Sequence, residues 1–244
     1  MNRILVAAAV LPALAIILYV IKADKLEKEP MGLIAKLVLA GVLATVLALI
    51  TETVGQFILN MISFRNSKLY SVILFFFVVG LSEEGFKFLL LKAVTWKNPD
   101  FNCRFDGVVY SVCVALGFAV WENLAYVANY GLSVAIARAV TAVPGHACFG
   151  VFMGAFYSAA KGSSLAGDQA GEKRYKRMAL IVPLAVHGLY DYVASAQTSF
   201  SAIAFIVLIA AVFFFAFRIL KRMSITDGYF TRSFVGSDDF DDFS

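Results

Sequence analysis

The stretch FFFVVGLSEEGFKFLLLK, residues 75–92, is apolar enough for the middle of a membrane helix, yet it contains three ionisable side chains. They are the adjacent carboxylates Glu83 and Glu84, followed about one helical turn later by Lys87. A charge at the centre of a bilayer costs at least ~2.5 kcal/mol, and such residues face the interior of a helix bundle and mark functional sites. The stretch therefore predicts a membrane helix that carries part of a buried polar site.

The rest of the chain is just as apolar. Of its 244 residues, 61% are hydrophobic and 16% are charged, a composition that excludes an ordinary soluble domain. A helix needs about 20 apolar residues to cross the hydrocarbon core of a bilayer. We therefore predict an all-α polytopic membrane protein with about seven transmembrane helices, at residues 4–21, 33–59, 69–94, 107–127, 134–159, 179–194 and 200–220.

The positive charges of the chain predict how these helices are oriented. Sixteen of the 21 Lys and Arg residues fall in the loops on one side of the predicted spans and at the C-terminal end. By the positive-inside rule this side is cytoplasmic, so the N-terminus is expected outside and the C-terminus in the cytoplasm. We interpret residues 1–222 as a single transmembrane domain, and 223–244, which end in GSDDFDDFS, as an acidic, disordered cytoplasmic tail.

Further ionisable groups lie in the other predicted spans. The only two histidines of the chain, His146 and His187, both fall in spans, and Glu122 lies in the span 107–127. His187 and Asp191 are four residues apart, a spacing that places both on one face of a helix. Because polar side chains in lipid turn inward to find partners, we expect these faces to meet in one cavity.

Three other residues are given structural interpretations. Glu52, in the sequence TETVGQ, is expected to line a cavity wall. Asp106 is expected to cap the N-terminus of the fourth span. Pro144 is expected to kink or break the fifth span near His146, because proline cannot continue a helical hydrogen-bond ladder.

The buried carboxylates and imidazoles are suited to the hydrolysis of a peptide bond. Neutral imidazoles and a carboxylate bind Zn²⁺ and leave a position for water, whose proton a second carboxylate can take. Lys87 is interpreted as a charge partner, since two adjacent buried carboxylates would not both stay charged without a cation. The alternative is a proton- or cation-coupled transporter that uses the same groups, although no inverted repeat supports it. A seven-helix receptor or scaffold would leave Glu83 and Glu84 unexplained.

Four short segments resemble those of the PrsW-type intramembrane proteases. SEEGFK, residues 82–87, is similar to the EExxK motif of that family, and GFAVWENLAY, residues 117–126, is similar to its second motif. His146 in VPGHACFG resembles the third motif, and HGLYD, residues 187–191, resembles the fourth. The four segments occur in the family's order on four predicted helices.

This resemblance implies a polytopic protease related to the type II prenyl-protein (CAAX) endoproteases and the Abi proteins. The general base would be Glu83 or Glu84, with Lys87 beside them, while Glu122, His146 and His187 would hold Zn²⁺ or the water. Relatives often have asparagine where Asp191 stands, so Asp191 either contributes to an oxyanion site or orients His187.

The resemblance also implies the partners and the location of the protein. The expected substrate is a membrane-anchored protein, such as an anti-sigma factor, and the expected surroundings are the lipid bilayer of a bacterial plasma membrane. No nucleic-acid partner is expected.

Overall fold

Nearly all residues described by the computed structural model, which are 3–62, 67–196 and 198–230, are helical. Helices α1 and α2 are followed by a nearly continuous helical stretch that consists of α3, a π-helical segment and α4. Five further helices, α5 to α9, complete the described chain. The bounds are α1 Arg3–Ala23, α2 Met31–Met61, α3 Lys68–Val72, the π-helical segment Ile73–Gly80, α4 Leu81–Thr95, α5 Asp106–Tyr130, α6 Leu132–Val140, α7 Ala142–Leu165, α8 Gln169–Ser195 and α9 Ser199–Ile225.

Six helical stretches of the described chain are long and apolar enough to cross a membrane, and each contains one of the predicted spans. The remaining predicted span, 69–94, is helical from Lys68 to Thr95 but is divided among α3, the π-helical segment and α4. The prediction of an all-α, multi-pass membrane fold is therefore confirmed. Its orientation in the membrane stays a prediction from the charges. The six stretches are Arg3–Ala23, Met31–Met61, Asp106–Tyr130, Leu132–Leu165, Gln169–Ser195 and Ser199–Ile225.

The π-helical segment lies directly before the helix that carries Glu83 and Glu84. At its end the N–H of Leu81 donates to the carbonyl of Phe76, five residues earlier, instead of four as in an α-helix. Its close packing against α8 is shown by Gly188, where an added Cβ would lie 2.7 Å from the Phe76 ring. Segments of this kind are rare and often occur at functional sites.

The fifth predicted span is broken as Pro144 suggested. α6 ends at Val140 and α7 begins at Ala142, so the break falls at Thr141. Pro144 is the third residue of α7, where the missing N–H would have no helical acceptor in any case. The predicted break near His146 is confirmed. After the break, α7 begins one turn before that histidine.

α5 is the central helix, and it packs against α1, α2 and α7. The first fourteen residues of α5, 106–119, are all buried. Its contact with α2 is close enough to require glycine on both helices. A Cβ on Gly41 would lie 2.1 Å from the carbonyl oxygen of Val114, and a Cβ on Gly117 would lie 2.1 Å from that of Val38.

The variant Gly117→Ala is expected to be destabilised by about 1–3 kcal/mol or more, because the added methyl group must push two backbones apart. Thermal denaturation of the purified protein in detergent would measure the loss. Gly32→Ala is the matched control, since an added Cβ there meets no atom within 4 Å. Equal melting temperatures for the two variants would contradict the close α2–α5 contact.

Hydrogen bonds connect several helix termini at the end of the bundle that carries most of the Lys and Arg residues, here called the basic end. Lys161 near the end of α7 donates to the carbonyl of Trp96 after α4 (2.9 Å), and Ser158 donates to the carbonyl of Arg104 before α5 (2.6 Å). After α9, the Phe230 N–H donates to the Asn102 carbonyl (2.9 Å). The loop before α5 is thus held by hydrogen bonds from α7 and from the segment that follows α9.

The predicted cap at Asp106 is wrong. Asp106 is the first residue of α5, and its Oδ2 atom accepts from the N–H groups of Asn102 (3.0 Å) and Cys103 (2.6 Å). These donors belong to the preceding loop and not to the free first turn of the helix, so the carboxylate shapes the loop.

Residues 223–225 continue α9 beyond residue 222, the predicted end of the transmembrane domain. The predicted boundary falls inside α9, which ends at Ile225, and residues 226–230 follow at the basic end. The most acidic part of the predicted tail, 231–244, lies outside the described residues.

Candidate active site

The predicted site residues lie in one connected cluster where α4, α5, α7 and α8 meet. Five of them are buried, whereas the side chains of Glu122 and Asp191 are 21% and 24% exposed. The cluster therefore has a closed centre and a more open edge. The contributing residues are Glu83, Glu84 and Lys87 from α4, Glu122 from α5, His146 from α7, and His187 and Asp191 from α8.

The ammonium group of Lys87 lies at the centre of the cluster. Its Nζ atom is 3.1 Å from Glu83 Oε2 and 2.8 Å from Glu84 Oε1, so both carboxylates share one positive charge. The same atom lies 3.2 Å from His146 Nδ1 and 3.9 Å from the centre of the Phe118 ring. The expected pairing of Lys87 with both glutamates is present, and it extends to α7.

His187 joins α8 to both glutamates of α4. Its Nδ1 atom lies 2.9 Å from Glu84 Oε1, and its Nε2 atom lies 3.9 Å from Glu83 Oε2 and 3.4 Å from Asp191 Oδ2. The ring stacks on Phe149, with 4.8 Å between ring centroids and an interplanar angle of 24°. Packing and polar contacts together fix the plane of this imidazole.

Glu122 reaches the cluster through the second histidine. Its Oε2 atom is 2.9 Å from His146 Nε2 and 2.8 Å from a terminal nitrogen of Arg138 on α6. His146 therefore faces Lys87 with one ring nitrogen and a carboxylate with the other. A carboxylate behind a histidine in this way sets its tautomer and ring orientation.

Arg138 is a site residue that the sequence analysis did not identify. Its Nε atom donates to Asn123 Oδ1 (2.9 Å), and Asn123 in turn donates from Nδ2 to the carbonyl of Ala9 in α1 (3.0 Å). Its guanidinium also lies 4.0 Å from the centre of the Tyr126 ring. These contacts hold the positive charge beside Glu122.

The donor atoms at the centre suit a transition-metal ion. Glu83, Glu84, His146 and His187 each offer one ligand atom, and these four atoms lie within 4.8 Å of one another. Glu84 Oε2 is buried and has no hydrogen-bond partner in the described chain, so the cost of burying this oxygen is not offset by a hydrogen bond. Two imidazoles with carboxylates are a Zn²⁺-type donor set. Glu122 is not in this group and contacts it through His146.

Glu52 lies near the edge of this cluster without a defined contact. It is half-buried on α2 and interacts electrostatically with Glu83 and Glu122. Its interpretation as a wall residue stays a prediction.

Comparison with known proteins places these motifs in a family. A profile described as "PrsW family intramembrane metalloprotease" matches residues 29–217, which include every predicted site residue. Among curated proteins, the chain is 31% identical over 207 residues to Protease PrsW of Clostridioides difficile (strain 630), a match that covers 82% of this chain and 83% of that protein.

Two further relatives agree with this match. The chain is 30% identical over 222 residues to Protease PrsW of Shouchella clausii (strain KSM-K16), covering 90% of this chain and 97% of the relative. It is 29% identical over 195 residues to Protease PrsW of Bacillus subtilis (strain 168), covering 80% and 84%. No solved structure shows significant similarity. The motifs, the clustered side chains and these matches agree, and the chain belongs to the PrsW family of intramembrane metalloproteases.

Proposed function

We propose that the protein hydrolyses peptide bonds of membrane-anchored substrates with a water molecule activated at the cluster beside a bound Zn²⁺. The observation that carries this proposal is the group of four donors from α4, α7 and α8 within 4.8 Å of one another, buried in an apolar bundle. Burying carboxylates and imidazoles at this density is costly for a fold that needs only apolar packing, and they are the groups that metal-assisted hydrolysis requires.

The residues proposed to hold the ion are Glu84, His146 and His187. All three are buried, and they come from three different helices. When bound, such an ion supplies Lewis-acid polarisation of the peptide carbonyl and of the attacking water. Glu122, which the sequence suggested as a ligand, is proposed instead to orient His146, because it bonds the ring nitrogen opposite Lys87.

Glu83 is proposed as the general base. Its side chain is 8% exposed, whereas that of Glu84 is 1% exposed and has one oxygen held by both Lys87 and His187. Glu83 is therefore the freer of the two carboxylates to meet a water molecule. It would accept a proton from the water as the oxygen attacks the carbonyl carbon. It would then return that proton to the amine nitrogen as the C–N bond breaks.

Lys87 and Asp191 are proposed to support these steps without proton transfer of their own. The Lys87 ammonium lies among the proposed ligand atoms, so it would move aside when the ion binds and keep its positive charge beside Glu83, the ionised base. Asp191 lies 3.4 Å from His187 Nε2 at the open edge of the cluster, where it would orient the imidazole.

The substrate is proposed to be a single-span membrane protein such as an anti-sigma factor, cut within the bacterial plasma membrane. The bacterial origin of the relatives supports the location, and the buried position of the cluster supports a substrate that enters from the bilayer.

The test compares zinc content and cleavage in the detergent-purified full chain. We expect near-stoichiometric zinc by mass spectrometry in the unaltered protein. In His187→Ala, both zinc and the cleavage of a fluorogenic single-span substrate should fall by at least about tenfold, since lost ligation lowers metal affinity. Glu172→Gln, in the first turn of α8 where the partly exposed carboxylate pairs with Lys176, is the control and should retain both. Full cleavage by metal-free protein would contradict the zinc-dependent mechanism.

A further inference from the structure

A second group of buried carboxylates lies at the basic end, separate from the active-site cluster. Asp24 and Glu29 come from the loop between α1 and α2, and Asp106 is the first residue of α5. One carboxylate oxygen from each lies within 4.8 Å of one from each of the others. The three residues are 2%, 7% and 0% exposed, so water solvates none of them well.

Each carboxylate in this group is oriented by donors of the protein itself. Asp106 Oδ2 accepts two loop N–H groups, as described above. Glu29 Oε2 accepts from the hydroxyl of Tyr110 (2.6 Å), and Asp24 accepts from the backbone N–H groups of Leu26 and Glu27. Fixed carboxylates of this kind resemble metal ligands, which are held in place by hydrogen bonds to their outer atoms.

Two further oxygens of the group have no hydrogen-bond donor among the described residues. Asp24 Oδ1 and Asp106 Oδ1 are fully buried and have no hydrogen-bond partner within the part of the chain that the structure describes. A buried charged oxygen without a partner is costly, and a bound ion or water is one of the explanations for such an atom in a native protein. These two unpaired oxygens therefore point to a bound ligand for a reason separate from the short distances between the carboxylates.

The positive charge of Lys28 acts on Asp24 without a hydrogen bond to its carboxylate among the described contacts. Lys28 Nζ donates to the backbone carbonyls of Ile21 and Asp24, not to a carboxylate of the group. The Glu29 and Asp106 carboxyl groups also lie within hydrogen-bonding distance of each other, and two acids can make this contact only if they share a proton or a cation.

We infer that Asp24, Glu29 and Asp106 form a binding site for a hard divalent cation, Mg²⁺ or Ca²⁺. An all-oxygen, all-carboxylate donor set with no histidine or cysteine ligand suits these ions and not Zn²⁺. The bound ion would join the α1–α2 loop to the start of α5, the helix that carries Glu122. It would thereby stabilise the bundle at the end opposite the break between α6 and α7.

The test is thermal denaturation of the purified full chain, first stripped by chelator and then titrated with MgCl₂ or CaCl₂. We expect a saturable rise in melting temperature for the unaltered protein. Asp24→Asn removes one charge but keeps an oxygen for the loop N–H groups. It should melt no lower than the stripped unaltered protein, because repulsion is relieved. Its apparent affinity for the cation should fall by at least tenfold.

The matched control is Glu27→Gln in the same loop, since the Glu27 side chain is exposed and bonds Asn102 and Tyr229 rather than a carboxylate of the group. Its cation response should equal that of the unaltered protein. An equal response in Asp24→Asn, or no response in the unaltered protein up to about 10 mM cation, above the range of weak calcium modules, would overturn the proposal. A lower melting temperature of stripped Asp24→Asn, with an unchanged cation response, would assign the residue a purely structural role and overturn it too.

Discussion

Replacing Glu83 by glutamine is expected to reduce cleavage of a single-span fluorogenic substrate by about 10²- to 10⁴-fold, the usual contribution of a general base. Glutamine has the same shape and can still accept a hydrogen bond from Lys87, 3.1 Å away, but it cannot take a proton from water. The loss should therefore appear in the rate of peptide hydrolysis, while the melting temperature and the zinc content stay close to those of the unaltered protein.

The informative comparison for Glu83→Gln is the same change at its neighbour. Glu84→Gln alters a carboxylate that contacts Lys87 at 2.8 Å and His187 at 2.9 Å and that we propose as a ligand. It should lose zinc as well as cleavage. Should Glu83→Gln cleave normally while Glu84→Gln retains zinc but is inactive, the two roles would be exchanged. Glu172→Gln, far from the cluster, checks that a lost carboxylate is harmless elsewhere.

Much of the fold and of the site followed from the sequence, because both depend on local periodicity. Apolar runs of about 20 residues located the spans, since the bilayer imposes that length on any crossing helix. The four-residue spacing of Glu83 and Lys87 placed them on one face, and the structure pairs them at 3.1 Å. His187 and Asp191 follow the same rule, at 3.4 Å.

The features that the sequence did not reveal depend on contacts distant in the chain. The π-helical segment Ile73–Gly80 has an unbroken apolar sequence, and its extra residues per turn are stabilised by packing on α8. The Arg138–Glu122 pair requires α6 to fold back against α5, and the chain makes this turn at Gly131, whose φ of 80° favours glycine. The cap expected at Asp106 failed because its nearest donors are in the preceding loop.

Lys87→Met is expected to lower the free energy of unfolding of the metal-free protein by about 3–5 kcal/mol, the typical loss when one partner of a buried ion pair is removed. Methionine keeps an unbranched apolar side chain of similar shape but removes the ammonium, which lies 3.9 Å from the centre of the Phe118 ring. It leaves Glu83 and Glu84 without the ammonium that lies 3.1 and 2.8 Å from them, so two adjacent carboxylates remain in an apolar bundle with His187 as their nearest donor. Denaturant titration in detergent micelles would measure the change.

Adding zinc provides a second test of whether the Lys87 ammonium balances the negative charges of Glu83 and Glu84. If the ion binds the carboxylates and imidazoles that now surround the ammonium, adding Zn²⁺ should raise the melting temperature of Lys87→Met more than that of the unaltered protein, because the ion replaces the missing charge. Lys92→Met is the matched control, since Lys92 is exposed on the same helix and should change neither stability nor zinc response. A Lys87→Met protein as stable as Lys92→Met without metal would show that the glutamates are not ionised around Lys87, and the proposed charge balance at the active site would be wrong.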